Sequence, residues 1–73
     1  MNRADRHAKL RHSRHHLQQA LSEVIVLTSQ KDILGGTTTE SGYVKNAERE
    51  TEIQKRIADA RLWLDQFEAA VHA

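Results

Sequence analysis

Cysteine and proline are absent from this chain, aromatic residues make up only 4%, and all three glycines fall between positions 35 and 42. Each shortage excludes something. Without cysteine, neither a disulfide framework nor a thiolate zinc site can compensate for a small core. Without proline, nothing interrupts a helix on either side of the glycine cluster. The longest uninterrupted apolar run, Val24-Ile25-Val26-Leu27, falls far short of the ~20 residues that span a bilayer, and no secretory apolar segment follows Met1. No membrane association is expected, and a cytoplasmic location is, the host cytoplasm if the chain is phage-encoded.

What is present is short and polar. The 73 residues form a single small domain, with 38% apolar composition. A chain of this size buries only about 60% of its unfolded surface, so the core is thin. Long regular helices, self-association or a partner remain as sources of stability.

Charge is distributed unevenly. Residues 1–16 carry five bases (Arg3, Arg6, Lys9, Arg11, Arg14), one acid (Asp5) and four of the five histidines, leaving +4, whereas the remainder carries six bases and nine acids, leaving −3. One end is basic and the rest mildly acidic. The net formal charge of +1 is well below the balance of a dedicated nucleic-acid binder, and no aromatic residue is interleaved with the bases for stacking.

Periodicity indicates helix on both sides of the glycines. Ile53, Ile57, Ala60, Leu64, Phe67 and Val71 are spaced 4, 3, 4, 3 and 4 apart, a single stripe of an α-helix that a strand would scatter over two faces. Trp63 widens that stripe, and Asn46 is a credible N-cap, with Ser41 as the alternative start. Leu64 and Phe67 are expected to be buried against Leu17, Leu21 and Val24. In the first half, Leu10, Leu17 and Val24 recur every seven residues, joined by Ala20, Leu21 and Leu27 at intermediate helical spacing, Asn2 and Asp5 resemble a capping pair, and Gly35 offers a left-handed stop. One conflict stands out: Val24 to Thr28 is rich in β-branched residues.

The expected fold is therefore all-α, an antiparallel helical hairpin with a basic helix over residues 3–34, a Gly/Thr/Ser loop over 35–45 and an amphipathic helix over 46–72, open to dimerisation into a four-helix arrangement. The alternative is α+β, with a short β-hairpin pairing residues 24–28 with 42–44. If 24–28 is helical, it is apolar all round, and a two-helix pair leaves Ile25 or Val26, Leu62 and part of Trp63 pointing away from the seam.

Chemistry has little foothold. His12, His15 and His16 fall on adjoining helical positions, but their neighbours are Arg11, Ser13 and Arg14 rather than carboxylates, and such cations repel a metal ion. The cluster reads as a surface group that titrates. The segment Gly35 to Gly42 lacks the lysine of a phosphate-binding loop, and two helices enclose no cleft. No catalytic residue, metal ligand or cofactor is expected, and the chain reads as no enzyme.

The residues expected to bind a partner are Arg3, Arg6, Lys9, Arg11, Arg14, Leu62 and Trp63. The basic turns would steer the chain to a larger protein with an acidic surface, and the apolar pair would anchor it. This describes a non-enzymatic regulator, in the manner of small phage-encoded inhibitors or modulators, with the transcription machinery as first candidate on grounds of size. Direct nucleic-acid binding through the same face is the alternative, and a structural or assembly component comes third. A homodimer is compatible with all three.

Overall fold

The computed structural model describes residues 2–29 and 35–73. These form two helices and a small antiparallel sheet: α1 (Arg3–Ser29), β1 (Gly36–Thr39), β2 (Gly42–Lys45) and α2 (Arg49–Val71), with a 3₁₀ turn at Asn46–Glu48 leading into α2. The chain is mostly helical. Arg6 meets Ala70 and Val71, His16 meets Trp63, and Glu23 meets Arg56. Partners on α2 fall in number as those on α1 rise, so the two helices lie side by side in opposite directions.

Helix α1 starts where its cap residue places it. The Asp5 amide donates to Asn2 Oδ1 at 2.9 Å, satisfying one of the N–H groups that the first turn leaves without a helical partner. Asn2→Ala should therefore cost about 1 kcal/mol, lowering the thermal midpoint by roughly 4–8 °C in a chain of this size. A melt followed by circular dichroism reads this directly.

The β-branched run does not break the helix. Residues 24–28 are helical, so of the α+β alternative only the strand at 42–44 is formed, as part of β2, and it pairs with 36–39 instead. Leu27 is fully buried and packs with Val44 and Ile53, flanked by Ile57. Burial of that one side chain outweighs a local β preference of a few tenths of a kcal/mol per residue. The Thr28 hydroxyl donates back to the Val24 carbonyl at 2.7 Å, which a helix accommodates. The expected helical continuation over residues 30–34 lies outside the described residues.

The segment expected to be a flexible loop is instead a β-hairpin. Gly36 pairs with Lys45, Thr37 with Val44, Thr38 with Tyr43 and Thr39 with Gly42. Thr37 and Thr39 are buried, whereas Thr38 is exposed. This is the period-two alternation of a strand lying on a helical layer. Three consecutive β-branched threonines supply the strand, and Gly42, at φ +137°, supplies the backbone conformation the turn requires. At the base of the hairpin, Gly35 has φ +97° and its carbonyl accepts the Asn46 amide at 2.9 Å. Asn46 is therefore the strand-closing residue rather than the N-cap of α2. Its side chain accepts from Arg49 at 3.2 Å, and Ser41 sits in the turn.

Gly36 has a steric reason to be glycine. A Cβ there would run into the Tyr43 ring and come within 2.6 Å of the Val44 carbonyl. Gly36→Ala must displace the paired strand itself, at roughly 1–3 kcal/mol.

The seam between the helices is built from small residues. Ser13, Ala20 and Leu27, seven apart, are buried on α1, with Ile53, Ala60 and Ala70 on α2. The buried Ser13 hydroxyl is satisfied by the Lys9 carbonyl at 2.7 Å. Small side chains at the centre draw the helices together and push the bulky ones to the flanks. Leu64, expected in the core, is consequently 48% exposed, as is Leu21 at 47%. The heptad that faces the partner helix is thus the one through Ala20, not the one through Leu17.

Candidate functional site

Three of the residues expected to bind a partner converge. Lys9, Leu62 and Trp63 line one open groove of about 420 Å³ between the N-terminal turns of α1 and the C-terminal turns of α2, together with His12, Ser13 and Gln66. The opposite directions of the helices cause this meeting, because the basic end of α1 lies beside the only tryptophan, near the end of α2. The expectation of no cleft needs correction: the small-residue seam leaves shallow grooves along its flanks.

The histidine cluster serves this groove. His16 stacks on the Trp63 indole with ring centroids 4.4 Å apart and planes inclined by 17°, and His12 meets it edge-on at 5.3 Å. His12 and His16 touch each other at 4.5 Å, and His15 continues the series at 5.4 Å from His16. Two histidines expected to be plain surface groups thus hold the indole in place. Rings on positions i and i+4 share one helical face, and that spacing was the signal; what it lacked was knowledge that Trp63 lay opposite. Among the described residues, no group of three His, Asp or Glu side chains is placed to hold a metal ion.

The basic face is divided. Arg6 turns onto the end of α2, donating from Nη2 to the Val71 carbonyl at 2.9 Å and from Nε to the Ala70 carbonyl at 3.3 Å. A cation on the last carbonyls of a helix satisfies orphan acceptors and opposes the macrodipole. Arg6 therefore fastens the fold, and only Lys9 stands at the groove. Arg3, Arg11 and Arg14 are exposed on α1. Helical spacing places Arg14 in line with Leu17 and Leu21 on the far flank, and Arg11 on the outer face. Leu62 is 53% exposed and Ile25 62% exposed, both pointing away from the seam as expected.

A buried ionic knot fastens the hairpin tip to both helices. Glu23, buried on α1, accepts from the Ser41 amide at 3.1 Å and from the Ser41 hydroxyl. Arg56 of α2 approaches the same carboxylate at 3.7 Å, donates to Ser41 Oγ at 2.9 Å and pairs with Glu52 one turn earlier. Burial presses the Glu23 carboxyl upward. Hydrogen bonds from Ser41 and Thr39, and then the Arg56 charge, outweigh that pressure and hold the group below the ordinary carboxylate value. Glu52 is also held low, first by hydrogen bonds from Arg56 and Lys55.

The sign of the resulting pH dependence follows. Both carboxyls release their protons more readily folded than unfolded, so their contribution is complete above the unfolded value of about 4.3 and is lost as pH falls through the folded one. The thermal midpoint should decline in acid below about pH 4.5, and Glu23→Gln should flatten that acid limb. An equally steep limb in the variant would contradict the assignment.

No family model, no curated protein and no solved structure matches the chain. Among the described residues, no helix is long and apolar enough to cross a membrane.

Proposed function

We propose that the chain is a non-enzymatic regulatory protein, a helical hairpin that binds a larger protein through the groove of Lys9, Leu62 and Trp63. The single observation that supports this most is the convergence of one lysine, one exposed leucine and the only tryptophan at the basic end of the molecule. A tryptophan half-buried against one stacked and one edge-on imidazole is preorganised, so contact with a partner costs little side-chain entropy. Tryptophan in a groove lined by both apolar and polar side chains also matches the composition of a binding hot spot.

The occupant has a stated chemistry: an acidic segment of a protein that offers one apolar side chain to the groove and a carboxylate to Lys9. The charge of the N-terminal turns raises the rate of encounter, and the apolar contact sets residence time. Regulation by occupying such a surface is steric, and the transcription machinery remains a first place to look for it. Nucleic acid is the second reading. It draws on the same bases but gives Leu62 and Trp63 no role.

Selection of short random peptides on the immobilised chain tests the proposal. Enrichment of sequences pairing Asp or Glu with Leu, Phe or Trp supports it. Peptides without acids, or tighter binding of a duplex oligonucleotide, would overturn it. With a selected peptide, Lys9→Glu plus Arg11→Glu should slow association steeply at low salt and weakly at high salt, since exposed charges are screened beyond about 8–10 Å at physiological ionic strength. Stopped-flow kinetics reads both limits. Arg6 is excluded from that variant because its loss would also release the end of α2.

A further inference from the structure

The other flank of the helix pair carries a second groove, of about 310 Å³, lined by Leu17, Leu21, Val24, Ile57, Leu64 and two residues of the seam and rim, Ala60 and Arg61. Successive residues on a helix point about 100° apart. His16 and Leu17 on α1, and Trp63 and Leu64 on α2, therefore diverge to opposite sides of the seam. The tryptophan groove and this apolar groove are on different faces, and a partner on one leaves the other open.

We propose that this apolar face takes a second copy of the chain, laid antiparallel across it. Three observations carry the proposal. First, the molecule is a rod of 49 × 16 × 15 Å with a radius of gyration of 14.8 Å, where a compact chain of this length has about 11 Å. Second, among the described residues the buried large aliphatic side chains are Leu27, Val44 and Ile53, while Leu21 and Leu64, which line the same groove, stay about half exposed. Among the described residues no further element covers them, and a second helix pair is the smallest cover.

Third, the rod is electrically polar. The end formed by residues 2–16 and 61–73 holds six bases and three acids, a balance of +3, whereas residues 17–29 and 35–60 hold four bases and six acids, a balance of −2. The apolar groove lies between the two ends. A twofold axis through the groove and perpendicular to the rod sets each basic end over the partner's acidic end. A parallel pair would oppose +3 to +3. Charge thus selects the antiparallel arrangement, and the apolar face supplies the burial.

Sedimentation equilibrium on the full chain is the test. The expected mass is twice 8.3 kDa, with the dimer loosening as salt rises. Leu21→Glu with Leu64→Glu should weaken dimerisation at least about 100-fold, tenfold or more for each substituted position, whose carboxylates association would desolvate. Because both sites are half exposed in the single chain, helicity by circular dichroism should persist in this variant. Orientation is read separately. The chain has no cysteine, so a spin label on Arg3→Cys is unique, and the two labels of an antiparallel dimer should be separated by a distance comparable to the 49 Å rod length. A wild-type monomer at millimolar concentration, a folded double variant that still dimerises, or a short label separation would each overturn the proposal.

Discussion

Replacing Glu23 with alanine should lower the unfolding free energy by roughly 3 kcal/mol, the low end of the cost of breaking a buried ion pair by removing one partner. The low end applies because Arg56 keeps its pairing with Glu52. The Ser41 amide, the Ser41 hydroxyl, the Thr39 side chain and the Arg56 guanidinium lose an acceptor or counter-charge together. Arg56 Nε, already buried without a hydrogen bond, would then also lose the charge that faces it. The consequence is spatially specific. The hairpin tip should loosen from the helices, seen as faster amide exchange at Ser41 and Gly42, while the Trp63 end stays ordered. Glu23→Gln keeps the shape and one acceptor but not the charge, and should lie between wild type and alanine. A chemical denaturation series at fixed protein concentration measures all three. A loss below about 1 kcal/mol for the alanine variant would show the knot to be no more than an ordinary surface pair.

Trp63→Ala should weaken binding of a selected acidic peptide by about 30-fold or more, the 2 kcal/mol or greater cost that defines a hot spot. The substitution also removes the platform on which His12 and His16 pack, so some loss of stability accompanies it. Leu62→Asp separates the two effects. Leu62 is exposed and lines the same groove, so the aspartate should leave the melt close to wild type. It should still cost binding, both by deleting apolar contact and by repelling an acidic ligand. Isothermal titration of both variants distinguishes the outcomes. Full affinity in folded Leu62→Asp would remove the groove from the binding surface.

The sequence made the helical content, the α1 start at Asn2 and the outward-facing Ile25 and Leu62 legible, because each rests on local spacing or capping. Of the β-hairpin only the strand at 42–44 was, through the α+β alternative, for a definable reason. Glycine, threonine and serine between two helices read as a reversal with little to bury, Thr37, Thr38 and Thr39 among them. Their burial pattern depends on a helical layer beneath them that local sequence does not describe. The core was legible in part: Ala20, Leu27, Ile53 and Ala60 are buried, whereas bulky Leu21 and Leu64 stand at the flanks, because close approach of two helices favours small residues such as Ser13 at the contact. At the candidate site, Lys9, Leu62 and Trp63 stand out by residue type and helical position, and the structure brings them to one groove. The fastening role of Arg6 and the stacking of His16 depend on contacts across more than 40 positions of sequence, which no periodicity encodes.

The central claim, that this chain acts by seating an acidic protein segment beside its tryptophan, has a direct optical readout because Trp63 is the only indole. Titration of the full chain with a selected acidic peptide should shift Trp63 emission in a saturable manner, with an apparent affinity that weakens as salt is raised. Saturable binding that leaves the emission unchanged, or a shift produced by duplex DNA and not by the peptide, would contradict it.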